Sequence, residues 1–234
     1  MPNRKNILIT GVSSGLGEAL AKTYLENGDS VYAIGKTLPK KLDRYPHFFF
    51  FPYDLSETFT LQSSIKEFVK NHSFDMVILN AGILGEIQEL TKTDLMDAKE
   101  VMEINVWANK ELIALLSTHS NVKQIIGISS GAALIGSKGW GAYALSKTAL
   151  NMLLNVYAKE LPAIHFTALA PGVIDTPMVR HIIENVDDRK FSAAKKLKES
   201  SILTPQQAAE LLINTFPKLL DYESGSFLDI RTLD

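Results

Sequence analysis

Tyr143-Ala144-Leu145-Ser146-Lys147 sets a phenol and an ammonium four positions apart, on one face of any helix that contains them. A cation near a phenol favours the phenolate, which would bring Tyr143 down from the usual value of about 10 toward working pH. Tuned in that way, Tyr143 would act as a general acid toward a carbonyl or as a general base toward an alcohol. Tyr and Lys at this spacing are common on helix surfaces, where they carry no chemistry. Ser130 changes the reading, because it ends an upstream strand-like run and its hydroxyl could hydrogen-bond the reacting oxygen.

A second set of residues lies near the N-terminus. Thr10-Gly11-Val12-Ser13-Ser14-Gly15-Leu16-Gly17 directly follows an apolar run and opens a helical pattern. Glycines at a strand-to-helix turn let the backbone bend tightly and approach a pyrophosphate, whose charge then rests on the helix N-terminus. The spacing is G-x-x-x-G-x-G rather than G-x-G-x-x-G, so a glycine turn without a ligand stays open. Gly11-Val12-Ser13-Ser14-Gly15 also fits G-x-S-x-G, the nucleophile elbow of α/β-hydrolases, which would make Ser13 a nucleophile. Five histidines leave a triad numerically available. Against it, the match follows the very first strand, and no HGGG-like segment precedes it to complete an oxyanion hole.

These residues need elements to hold them. Short β-branched or aromatic runs alternate with longer segments of helical periodicity. Strands are expected at 6–10, 30–35, 48–52, 75–79, 124–129, 166–170 and 227–230. Leu16, Ala19, Leu20 and Tyr24 recur at helical spacing and stop at Gly28, a C-terminal cap. A long helix is expected from near Thr93 through Leu112, Leu115 and Leu116. Thr204-Pro205-Gln206-Gln207 is a complete start signal, with a capping Thr, Pro at the first position and Gln to close the capping box. This order predicts a single α/β domain: a doubly wound, Rossmann-type parallel sheet of seven strands with helices on both faces. The charged stretch 175–203 interrupts the alternation and is expected to form a helical flap.

The chain has 234 residues, 46% of them apolar, which suits one such domain. Its net charge of -2 supplies no basic excess for nucleic-acid phosphates. Cysteine is absent, which excludes a disulfide scaffold and thiolate catalysis. The apolar stretch Ile7-Leu8-Ile9 after Met1-Pro2-Asn3-Arg4-Lys5 is too short for a signal-peptide core, and the aromatic run from Phe48 to Phe51 is too short to span a bilayer. A soluble cytoplasmic protein is expected, with a small-molecule substrate, no metal, and no nucleic-acid or membrane partner.

Taken together, the residues resemble the short-chain dehydrogenase/reductase family over nearly the whole chain. Thr10, Gly11, Gly15 and Gly17 match its T-G-x-x-x-G-x-G motif. Asn80-Ala81-Gly82 matches its N-A-G segment after the fourth strand, and Asn105 its helical Asn. Ser130, Tyr143 and Lys147 match its catalytic Ser, Tyr and Lys. Pro171-Gly172-Val173-Ile174-Asp175-Thr176 matches its P-G-x-x-x-T turn, and Asp54-Leu55 the acidic position that touches adenine.

The resemblance implies a role for each. Tyr143 would exchange the proton, Ser130 would hold the substrate oxygen, and Lys147 would bind the nicotinamide ribose and lower Tyr143. Asn105 would hold a water that links Lys147 to solvent. The dinucleotide would lie along Gly11, Ser13, Ser14, Gly15, Leu16, Gly17, Asp54, Leu55, Asn80, Ala81, Gly82, Pro171, Gly172, Val173 and Thr176. Asn80 could instead cap a turn, Asn105 kink a helix, and Thr176 cap the next helix. The second strand ends Ala33-Ile34-Gly35-Lys36 without a carboxylate for a ribose 2′-OH, so NADP(H) is expected through Lys36, with NAD(H) possible if Lys36 is only a solvated lysine. Leu84, Leu134, Trp140 and Met178 suggest an apolar substrate lining, although Trp140 could equally pack beneath the flap. A homodimer or homotetramer is expected, as family members pair through the helices at 105–117 and 143–157. A dinucleotide-binding sensor without turnover is the other reading of the same fold. The complete Ser130–Tyr143–Lys147 set argues against it.

Overall fold

A computed structural model of the chain describes residues 4–233; Met1, Pro2 and Asn3 of the N-terminal stretch lie outside them. Seven strands form the main sheet: β1 (Asn6–Thr10), β2 (Ser30–Gly35), β3 (Phe48–Pro52), β4 (Met76–Leu79), β5 (Gln124–Ile128), β6 (His165–Ala170) and β7 (Ser226–Asp229). Their order is β3-β2-β1-β4-β5-β6-β7, and every pairing is parallel. Each expected strand is present, within a residue at either end. A further pair, Ser73–Phe74 with Asn121–Val122, carried no sequence signal because two residues cannot display a period.

The helices are α1 (Gly15–Glu26), α2 (Thr58–Val69), α3 (Leu95–Met102), α4 (Ala108–His119), α5 (Gly141–Glu160), α6 (Pro177–Asn185), α7 (Ser192–Lys198) and α8 (Pro205–Thr215). Ile7 and Ile9 pack on one face of the sheet with Leu20 of α1 and Leu212 of α8. Leu8 packs on the other with Ile65 of α2, Leu116 of α4 and Leu154 of α5. Successive strand side chains enter opposite apolar layers, so these strands read as unbroken apolar runs. The capping box at Thr204 forms as read.

The long helix starts at Leu95, close to the expected Thr93, with Asp94 capping it through Met96 N at 2.6 Å. It is not one α-helix: a π turn at Glu103–Trp107 separates α3 from α4. Strand order reverses between β1 and β4, which opens a crevice above their carboxyl ends where open α/β sheets receive ligands.

Candidate active site

Both sides of that crevice are built from the expected segments. Gly11 and Gly15 have φ of +72° and +59°, a left-handed backbone that suits glycine. A Cβ on Gly11 would lie 2.8 Å from Ala81 Cα, and one on Gly17 would lie 2.1 Å from Gly11 O. The turn is therefore pressed against the loop after β4. Asn80 Nδ2 donates to Thr10 O and Gly11 O, each at 3.0 Å, while Thr10 Oγ1 accepts from the backbone N–H groups of Asn80 and Ala81. Asn80 thus ties the two loops together. The backbone cradle fits a pyrophosphate, with Ser13 and Ser14 exposed at its rim. Leu16 and Leu55 turn their side chains into the core.

Ser130 after β5, Tyr143 and Lys147 on α5, and Asn105 in the π turn come from three separate stretches of the fold and meet beside Gly82. Lys147 Nζ donates to Ile128 O at 2.7 Å, at the end of β5, and lies 5.7 Å from the centre of the Tyr143 ring. A Cβ on Gly82 would meet Asn105 Oδ1 at 3.1 Å and Lys147 Nζ at 3.4 Å. Ser130 caps the short turn Gly131–Ala133 by accepting from Ala132 N at 3.1 Å, and its hydroxyl is near enough to the Tyr143 phenol to pull its pKa down.

Asn105 sits in the π turn. Its Oδ1 accepts from Ile83 N at 2.8 Å, and its Nδ2 donates to Ile83 O and to Ser146 Oγ, both at 2.9 Å. Two residues not singled out in the sequence complete this arrangement. Ser146 is fully buried and its hydroxyl donates a hydrogen bond to the backbone carbonyl oxygen of Tyr143 at 2.8 Å, and Asn109 Nδ2 donates to Asn105 O at 2.8 Å. Both follow a candidate residue at helical spacing, which was the available signal.

Burial sets the electrostatics. It pushes the Tyr143 phenol up, against the pull of the Ser130 hydroxyl, and it draws Lys147 down to about 8. The expected lowering of Tyr143 by Lys147 does not prevail in the protein alone. Desolvation penalises phenolate and ammonium alike, so burial of both groups outweighs their attraction.

The family pattern described as short chain dehydrogenase matches residues 5–187. This chain belongs to the short-chain dehydrogenase family. It is accordingly an oxidoreductase, and the family works with NAD(P)(H). An uncharacterized oxidoreductase from Saccharomyces cerevisiae is 32% identical over 198 residues, covering 81% of this chain and 78% of the relative. The crystal structure of that yeast protein, a short chain dehydrogenase/reductase, aligns with a TM-score of 0.82 at 28% identity, over 97% of this chain and 96% of its own. A benzil reductase ((S)-benzoin forming) from Bacillus cereus is 32% identical over 232 residues, covering 89% of this chain and 92% of the relative.

Membership of the dehydrogenase family removes the hydrolase reading, and the local structure agrees. Ser13 is exposed, and the ring nitrogens of His47, His165 and His181 meet Arg4, Tyr222 and Asn185 instead. Among the described residues there is no cluster with metal-ligand character, and no helix is long and apolar enough to cross a membrane.

Lys36 Nζ pairs with Asp54 Oδ2 at 2.7 Å, and Ser56 donates to the other Asp54 oxygen through its N–H and its hydroxyl. Thr176 caps α6 by accepting from Val179 N at 3.3 Å, and its methyl would lie 3.0 Å from a Cβ on Gly15, so it also faces the glycine turn. Pro171, Gly172 and Val173 follow β6 and are half-buried.

The flap consists of α6 and α7. Its two stems are pinned to each other by Asp175 N donating to Leu203 O at 2.9 Å and Leu203 N donating to Val173 O at 3.0 Å. Its underside, Ile182, Phe191 and Ala194, packs on Trp140, with Leu84 and Tyr143 at the edge of the cluster. Trp140 is only 7% exposed and meets the Phe191 ring edge-on at 6.4 Å, which makes it a foundation for the flap. Leu134 stands out at 67% exposure, and Met178 is half-buried on α6.

Proposed function

We propose that this dehydrogenase reduces apolar ketones or aldehydes with NADPH, using NADH less well. The convergence of Ser130, Tyr143 and Lys147 beside Gly82, above the glycine cradle, carries this reading. Tyr143 donates its hydroxyl proton to the carbonyl oxygen, and Ser130 hydrogen-bonds the same oxygen and orients it. Lys147, with a pKa near 8, accepts and releases protons close to neutral pH and replenishes Tyr143. Asn105 holds the Ile83 loop and, through Ser146, the catalytic helix in register. Gly11, Gly15, Gly17, Ala81, Gly82, Lys147 and Thr176 are the residues that would hold the dinucleotide, which supplies the hydride when bound. Lys36, at the end of a β2 that lacks a carboxylate, supports the NADPH preference.

The likeness to a benzil reductase supports a carbonyl substrate and makes benzil the first probe. The test follows nicotinamide absorbance with benzil and a panel of ketones and aldehydes. Consumption faster with NADPH than with NADH is expected. Tight NADPH binding without consumption of any carbonyl would overturn the reading in favour of a sensor. The assembly that this reading includes is a homodimer or homotetramer through α4 and α5, supported by exposed Trp107, Leu145, Met152 and Val156 on those surfaces. Light scattering at micromolar concentration checks it, and a monomer would refute it.

A further inference from the structure

The end of the chain brings a guanidinium to the rim of the site. β7 stops at Asp229, and the turn Ile230–Thr232 follows at the carboxyl end of the sheet, the end at which Ser130 and Tyr143 meet. A Cβ built on Gly131, the residue after Ser130, would lie 3.6 Å from Arg231 Nη2. Chain neighbours aside, that nitrogen is the one atom of the described residues within 4 Å of the point. Arg231 therefore forms a wall beside the loop that presents the Ser130 hydroxyl.

Its orientation is fixed. Nε and Nη2 donate to Asp229 Oδ1 and Oδ2 at 2.8 and 2.5 Å, and Asp229 Oδ1 also accepts from Arg231 N at 3.0 Å. This side-on pairing leaves the Nη1–Nη2 edge of the fork with N–H groups to donate. The Arg231 side chain is 61% exposed, so its remaining N–H groups are open to an incoming molecule beside the Gly131 turn. The Arg231 guanidinium holds the Asp229 carboxyl below the usual range, and the pair is a net-neutral ion pair. A carboxylate approaching it would meet Asp229 as well as Arg231, whereas an uncharged oxygen would meet only an oriented donor.

We infer that Arg231 is a specificity-determining residue that donates to a second, uncharged oxygen of the substrate, a neighbouring ketone or ester carbonyl, while Ser130 and Tyr143 hold the reacting one. The inference rests on the carbonyl-reductase reading and narrows its substrates from simple ketones to dicarbonyl compounds. A site that hydrogen-bonds a substrate oxygen favours that substrate over the analogue lacking it, for which the donor keeps only its bond to water.

The experiment compares two matched pairs, benzil with deoxybenzoin and ethyl 3-oxobutanoate with 2-pentanone. The wild type, Arg231→Leu and Arg231→Lys are measured with NADPH. The ratio of kcat/KM for dicarbonyl over monoketone should fall about tenfold in Arg231→Leu. Arg231→Lys keeps the charge but not the fork, and should fall between. Monoketone turnover reports whether each variant is folded. An unchanged ratio in Arg231→Leu, including an equal loss on both members of a pair, overturns the assignment. Calorimetric Kd values for benzil and deoxybenzoin on the NADPH complex read the same ratio without turnover. An unchanged Kd ratio would refute Arg231 even in a protein that reduces neither compound, while a shifted ratio without turnover would refute carbonyl reduction and retain the donor.

Discussion

Lys147 carries its ammonium into a site where burial lowers its pKa from the usual 10.5 to about 8. Each pKa unit corresponds to about 1.4 kcal/mol, so keeping the group charged at pH 7 costs the fold about 3 kcal/mol. Met in its place has a similar length and no charge, and Lys147→Met recovers that penalty. Against the gain stands the lost hydrogen bond to Ile128 O, whose carbonyl is left short of a partner at about 1–3 kcal/mol. The balance at pH 7 is a modest stabilisation of about 1 kcal/mol, together with a severe loss of turnover. The pH dependence is the sharper result. Between pH 8 and 10.5 the unfolded chain binds a proton at Lys147 that the folded chain does not. Wild-type stability therefore rises through that window, by about 1.4 kcal/mol per unit. Below pH 8 the penalty is complete, and above 10.5 it is gone. The variant has no such titration. Its advantage over the wild type should shrink by about 3 kcal/mol between pH 7 and 10.5, read by urea unfolding of both proteins without cofactor at several pH values. A difference that stays constant across that range would show that the Lys147 amine is not desolvated as the structure describes.

Tyr143→Phe keeps the ring and removes the proton donor, so kcat on a confirmed carbonyl should fall about 10²–10⁴-fold with little change in NADPH affinity. Ser130→Ala should lose less, because water can replace its hydrogen bond, and near-normal turnover in Tyr143→Phe would sink the mechanism. Lys36→Ala should weaken NADPH binding by up to roughly tenfold and leave NADH nearly unchanged, as titration of both cofactors would reveal; an equal effect on both would remove Lys36 from cofactor choice. The flap from Asp175 to Ser201 should gain hydrogen-exchange protection when NADPH binds, since α6 begins at the Thr176 cap beside the glycine turn. Equal protection with and without NADPH would refute a closing flap.

Much of the site was legible because its pieces are short contiguous runs with local causes. Gly11, Gly15 and Gly17 announce a turn that only small residues permit. Tyr143 and Lys147 declare themselves by helical spacing, and the strands by unbroken apolar runs that a sheet covered on both faces requires. The seven-stranded parallel sheet followed from the alternation of those runs with helices, whereas its strand order came from the structure. What remained hidden depends on groups far apart in sequence. Asn105 and Asn109 reveal their spacing but not the π turn that aims Asn105 at Ile83 and Ser146. Lys36 reads as a free cation until β2 and β3 set it against Asp54. Arg231 looks like a terminal surface charge until the parallel sheet lays the end of β7 beside Gly131. The phenol of Tyr143 was expected to titrate low, because its neighbouring lysine can be read from the chain, whereas desolvation cannot. Burial is a property of everything that packs around a group, and only the folded chain assembles those surroundings.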